Sequence, residues 1–174
     1  MIALISATNR PNSYTEKVTT IYANILSELS ADQVFRYSLT QLPENFIFTD
    51  LYGSRSEAFK PVQAAMSEAD RYLFVVPEYN GSLPGILKVF IDSLPPQETF
   101  YGKKAALVGL AKGKFGNIRG LEHLVCVLNY LRVAVLPNRV HLIAIHRIYD
   151  EATQSLDSAN TEDIRSQIKQ FIRF

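Results

Sequence analysis

Two loops in this chain gather side chains that can do chemistry. The first, Ser6-Ala7-Thr8-Asn9-Arg10-Pro11-Asn12-Ser13, closes an apolar run and opens an amphipathic stretch. Hydroxyls and a guanidinium beside a helix start make a seat for a phosphate, because the first N–H groups of a helix lack partners and carry partial positive charge. The same residues also fit a plainer role. Ser13-Tyr14-Thr15-Glu16 has the form of a capping box, with Ser13 as N-cap and Glu16 reaching back. Polar turns leading into helices are common, so the loop alone leaves phosphate binding and simple capping both open. Gly-x-Gly-x-x-Gly and the P-loop Lys-Ser/Thr pair are both absent here, which excludes those two phosphate grips. The second loop, Pro77-Glu78-Tyr79-Asn80-Gly81-Ser82-Leu83-Pro84-Gly85, follows the apolar run Tyr72-Leu73-Phe74-Val75-Val76. A buried strand that stops in a Pro/Asn/Gly-rich loop and resumes as a helix is how open α/β sheets build ligand crevices.

The remaining reactive residues stand alone. His141 and His146 flank the fifth strand five residues apart, on opposite faces of an ideal strand, and read as edge or loop residues. His123, next to Glu122 on a helix, reads as an interface or solvated residue. Cys126 lies in Leu124-Val125-Cys126-Val127-Leu128 and is expected to be a buried, inert thiol. A single cysteine excludes an intrachain disulfide and a cysteine-based zinc site. No Ser-His-Asp or metal constellation is present, so neither a catalytic acid or base nor a metal is expected.

The elements that must position the two loops follow from periodicity. Short apolar runs at Ile2 to Ile5, Gln33 to Tyr37, Arg71 to Val76, Lys104 to Leu110 and Arg139 to Ile145 read as strands covered on both faces. Between them, Tyr14 to Leu29, Ala58 to Ala69, Gly85 to Leu94, Ile118 to Leu131 and Thr161 to Phe174 carry helical patterns. Strand and helix alternating in this way predict a doubly wound parallel sheet. The third and fourth helices hold more apolar residues than one stripe requires. A symmetric second copy of the chain would cover the excess, with deep burial under loops as the alternative. Leu42 to Glu57 is the longest irregular segment. Its aromatic knot at Phe46 to Phe48 is expected to cover a ligand, reach a neighbouring subunit or pack locally, and it continues through Gly53-Ser54-Arg55-Ser56.

At 174 residues and 47% hydrophobic content, the chain is read as one compact domain spanning 1–174. A formal net charge of +1 gives no bulk attraction to nucleic acid or to an anionic membrane. The N-terminal run turns polar too soon for a signal peptide, and no segment approaches the roughly 18 apolar residues of a membrane helix. A cytoplasmic location is expected.

With these residues in view, the chain resembles the NAD(P)H-dependent FMN reductase family. That family's first loop, Gly-Ser-x-Arg-x-x-Ser, is similar to Ala7-Thr8-Asn9-Arg10-Pro11-Asn12-Ser13. Its second motif, Pro-Glu-Tyr-Asn-x-Ser-x-Pro-Gly-x-Leu-Lys, is matched from Pro77 to Lys88, with Ile91-Asp92 following. The resemblance implies a flavodoxin-like, doubly wound five-stranded parallel sheet of order 2-1-3-4-5 with helices on both faces. It implies Thr8, Arg10 and Ser13 on the phosphate of FMN with Asn12 alongside, and Pro77, Glu78, Tyr79, Asn80 and Gly81 along the isoalloxazine. In that arrangement the backbone amides of Tyr79, Asn80 and Gly81 meet the ring edge, and Glu78 sets the turn. Ala111 to Asn117, with Gly113, resembles the family's glycine loop without its paired glycines, and a backbone amide, Lys112 or Lys114 would stabilise negative charge near N1 of the reduced flavin. Ala7 replaces a glycine and Val89 a common asparagine. The implied activity is hydride transfer from NADPH or NADH to FMN and onward electron transfer to a small acceptor: free flavin, a quinone, an azo compound or a metal oxyanion. From the apolar excess on the third and fourth helices, a homodimer or homotetramer is expected. Two rivals remain: an FMN electron carrier without nicotinamide activity, disfavoured by the balanced charge and the absence of Trp, and a scaffold that has lost its flavin.

Overall fold

The computed structural model describes residues 1–52 and 56–174, so Gly53, Ser54 and Arg55 of the long irregular segment lie outside the described residues. In chain order the elements are β1 (Ile2–Ser6), α1 (Tyr14–Leu29), β2 (Val34–Ser38), the short α2 (Phe46–Thr49), α3 (Lys60–Glu68), β3 (Arg71–Pro77), α4 (Gly85–Asp92), α5 (Pro96–Thr99), β4 (Lys104–Leu110), α6 (Ile118–Tyr130), β5 (Ala134–Val135), β6 (Val140–Leu142), α7 (Ile145–Ile148), β7 (Tyr149–Asp150), β8 (Ser155–Leu156) and α8 (Ser158–Arg173). The main sheet is parallel throughout, in the order β2-β1-β3-β4-β5, with β6 also paired to β4. This is the expected flavodoxin-like, doubly wound arrangement.

Alternation along the strands explains the layers. Ala3, Ile5, Tyr72, Phe74 and Leu107 face one core with Leu87, Phe90, Leu121 and Leu124 from α4 and α6. Ile2, Leu4, Leu73, Val75 and Val108 face the other with Val18, Tyr22 and Ile25 of α1 and Ile164, Ile168 and Phe171 of α8. Strands buried on both sides read as continuous apolar runs, which is why they were legible.

The last strand differs from expectation. Instead of one strand over Arg139 to Ile145, the edge is built from β5 and β6, which pair with the two ends of β4. Pro137 lies between them and has no N–H to give, so the ladder breaks there. The fully buried Gln167 of α8 fills the gap, donating to the Leu107 and Asn138 carbonyls at 2.9 Å each while its Oε1 accepts from the Tyr22 hydroxyl at 2.8 Å. After β6 the chain turns through Ala144 at φ 48° into α7, which carries an exposed His146.

One other expectation needs correction. Cys126 is exposed, because the buried stripe of α6 runs through Leu121, Leu124 and Leu128 and leaves the intervening turn outside. The irregular segment contains α2, whose Phe46 is buried edge-on against Phe59 at 4.8 Å, whereas Phe48 and Tyr52 point outward. Among the described residues, no helix is long and apolar enough to cross a membrane.

Candidate functional site

β1 and β3 are neighbours in register, Ser6 beside Val75, so the loops that leave their C-terminal ends must lie side by side. The first loop turns through Asn12 at φ 52° and delivers Ser13 as the N-cap of α1, its Oγ accepting from the Glu16 N–H at 3.2 Å. Only half of the capping box forms. Glu16 turns away to Arg36, 2.6 Å from its guanidinium, which leaves the loop side of the Ser13 cap open. In the next turn of chain, the N–H groups of Tyr14 and Thr15 have no intrahelical partner by the geometry of a helix start.

The second loop is a tight hairpin. Tyr79 and Ser82 exchange backbone hydrogen bonds at 3.0 and 3.1 Å, and the intervening Asn80 and Gly81 sit at φ 52° and 74°, the type I′ geometry that Asn-Gly favours. The expected set of three amides at a ring edge is thereby reduced: the Tyr79 N–H is spent on the Ser82 carbonyl. The N–H groups of Asn80 and Gly81 have no protein partner among the described residues.

A crevice of about 300 Å³ runs between the loops, lined by Arg10, Asn12, Ser13, Pro77, Glu78 and Tyr79, with Ala111 and Lys112 from the loop after β4. A shallower hollow bordered by Arg10, Glu78, Tyr79 and Asn80 adjoins it. Six of the residues singled out in the sequence therefore share one wall, and Asn80 extends it. Thr8 is fully buried behind that wall. Its Oγ1 lies 2.6 Å from the Tyr79 hydroxyl and accepts the Arg10 N–H at 3.1 Å, so it does not face the crevice as expected. Gly81 belongs to the hairpin rather than the lining. Gly113 lies outside the crevice with its carbonyl bonded to the Ala144 N–H; Lys112 is the member of that loop on the wall.

Sequence reasoning missed Asn117. Fully buried at φ 65° at the start of α6, it donates both Nδ2 protons, to the Val76 and Pro77 carbonyls at 3.0 Å each. Its N–H donates to Glu78 Oε2 at 3.2 Å. Three bonds from one residue thus clamp the base of the hairpin where the ladder with β1 has ended. The available signal was an asparagine directly after Gly116 and before the helical pattern, since Asn is among the few non-glycine residues that adopt the αL region. His123 also proves less isolated than expected, with Nδ1 2.8 Å from Ser82 Oγ. His141 bonds through Nδ1 to the Gly116 carbonyl at 3.1 Å. No group of three or more His, Cys, Asp or Glu among the described residues could hold a metal ion.

The crevice thus has a guanidinium, hydroxyl and helix-start amides at its α1 end, and the hairpin that borders it leaves two amides without a protein partner among the described residues. The model of the NADPH-dependent FMN reductase family matches residues 1–147. The chain belongs to that family. The family that the model describes is one of FMN-binding flavoproteins. An NAD(P)H-dependent FMN reductase of Pseudomonas aeruginosa is 38% identical over 104 residues, covering 58% of this chain and 56% of that protein, so the match spans little more than half the relative's length. A 2-hydroxy-1,4-benzoquinone reductase of Burkholderia is 29% identical over 98% of this chain and 91% of the relative. Among solved structures, an apo NADH:FMN oxidoreductase shares the fold with a TM-score of 0.78 at 22% identity, covering 98% of this chain and 87% of that one.

Proposed function

We propose that this FMN reductase family member takes hydride from NADPH or NADH in the crevice between its two loops and hands electrons to a small acceptor bound in the same place. The observation that carries the reading is the crevice with Arg10, Asn12 and Ser13 at the start of α1 on its wall and, in the hairpin that borders it, the two unpartnered amides of Asn80 and Gly81. Arg10, Asn12 and Ser13, with the first amides of α1, would hold the phosphate; Pro77 to Gly81 would line the ring. Bound FMN would supply the two-electron chemistry. The chain's own part is grip and orientation, with Asn117 fixing the hairpin. An acid or base is not required of it. Quinones and azo compounds are the proposed acceptor classes, supported by relatives named quinone reductase and NADPH azoreductase; free flavin and metal oxyanions complete the panel to be tried. A cytoplasmic location, where NADPH and NADH are available, goes with this reading.

The carrier alternative is separated by one experiment. Anaerobic mixing of the FMN-loaded protein with NADPH, and separately with NADH, is expected to bleach the oxidised flavin band within seconds for at least one nucleotide, without a partner protein. Bleaching by dithionite alone would establish the electron carrier instead.

A homodimer or homotetramer belongs to the same proposal. An apolar groove of about 600 Å³ runs between α4 and α6, lined by Ile91, Leu94, Val127 and Leu131 with Tyr52 and Tyr130 at its rim, and Tyr130 is 85% exposed. A second copy would cover these side chains. Light scattering is expected to give at least twice the chain mass; a monodisperse species of 19.6 kDa would refute the association.

A further inference from the structure

The Thr8 and Tyr79 hydroxyls carry a consequence for how the phosphate is held. They sit 2.6 Å apart across the two loops and bring two protons to the pair. One is consumed in the bond between them. Thr8 Oγ1 already accepts the Arg10 N–H at 3.1 Å, and Thr8 is sealed from solvent while Tyr79 lines the crevice beside Arg10, Asn12 and Ser13. Only one arrangement satisfies every group on the buried side: Thr8 donates to the phenolic oxygen, and the phenolic proton is left to point into the crevice. An O–H donor held at the mouth of an anion seat needs an acceptor, and phosphate oxygens are strong ones.

We propose that the Tyr79 phenol is itself a phosphate-binding group of the FMN site, and that Thr8 is its positioning residue rather than a direct ligand. The inference rests on the FMN reading of the crevice and reassigns the donor within it. Its structural basis is the adjacency of β1 and β3, which brings a residue two positions past Ser6 against one four positions past Val75. The bond ties the phosphate loop to the hairpin, so that seating the phosphate also fixes the hairpin's position.

Tyr79→Phe removes one oxygen and keeps the ring. Apoprotein titrated with FMN and with riboflavin, followed by flavin fluorescence, is expected to lose FMN affinity by roughly tenfold while riboflavin affinity stays within about twofold. Thr8→Val in the Tyr79→Phe background is expected to add little, because Thr8 acts through the phenol. A further large loss of FMN affinity in the double variant would make Thr8 a direct ligand and overturn the assignment. Equal losses for FMN and riboflavin would mean that the phenol merely shapes the loop, and unchanged FMN affinity in Tyr79→Phe would remove its role altogether. Wild-type protein that binds no flavin would overturn the functional reading and this role together, whereas the other three failures leave that reading intact.

Discussion

Arg10→Ala is expected to weaken FMN binding by about 1.5 to 3 kcal/mol, roughly 10- to 150-fold, and to leave riboflavin affinity nearly unchanged. The Arg10 side chain borders both the main crevice and the hollow beside it, and no carboxylate among the described residues pairs with it, unlike Arg36, Arg139 and Arg165. An exposed guanidinium without a partner contributes little to folding, so its free energy is available to a ligand. A phosphate matches its fork of donors, which is why the charge-assisted bond is stronger than a neutral one. Riboflavin presents the same ring and ribityl chain without the anion, and the contrast between the two ligands isolates the phosphate. Arg10→Lys keeps the charge but loses the fork and is expected to fall between. Fluorescence titration of apoprotein with each flavin measures all three. Equal losses for FMN and riboflavin in Arg10→Ala would place the residue's effect on the loop's conformation instead.

How much of this was legible depends on whether a feature is local. The strands β1, β3 and β4 announced themselves as uninterrupted apolar runs, and α1 as a stripe, because burial on two faces or one face writes itself directly into residue order. The Pro/Asn/Gly-rich loop after β3 was equally local, though not its hairpin form. The fifth strand reads as one run over Arg139 to Ile145, which holds β6 but misses β5 on the far side of Pro137, and the gap between them is filled by Gln167, about thirty residues away in sequence and adjacent only in the fold. Cys126 was misassigned by composition: its neighbours are apolar, yet it is two positions from both Leu124 and Leu128, which at 100° per residue points it away from the buried stripe. The commitments of the Thr8 hydroxyl and of Asn117 are tertiary. Sequence names the groups in a polar loop; it does not say which of their protons are already in use.

The last expectation concerns Gly109, next to the C-terminal end of β4 and flanked across the sheet by Val76 and His141. A Cβ on this residue would stand 2.2 Å from the Gly116 carbonyl oxygen and 3.2 Å from both the Asn117 Cβ and a methyl carbon of Leu121. The nearest obstacle is backbone, which cannot rotate aside as a long side chain would. Nor can the loop slide along the sheet, because Gly116 at φ 50° already packs against His141, whose carbonyl carbon is 2.9 Å from where a Gly116 Cβ would be. The loop would have to lift off the strand, and lifting it lengthens the 3.0 Å bonds by which Asn117 holds the Val76 and Pro77 carbonyls. Gly109→Ala is therefore expected to cost about 3 kcal/mol or more, at the upper end for overpacking, and to lower Tm by roughly 6 to 12 °C. It should also weaken FMN and riboflavin equally, since the hairpin and not the anion seat is disturbed. Gly113→Ala supplies the control in the same loop: nothing lies within 4 Å of its Cβ position, so stability should stay within about 0.5 kcal/mol of wild type. Urea and thermal unfolding of the two variants, with both flavins titrated, tests the argument. A Gly109→Ala protein as stable as Gly113→Ala would show that the loop after β4 is free to move, and would remove Asn117's clamp as the support of the hairpin.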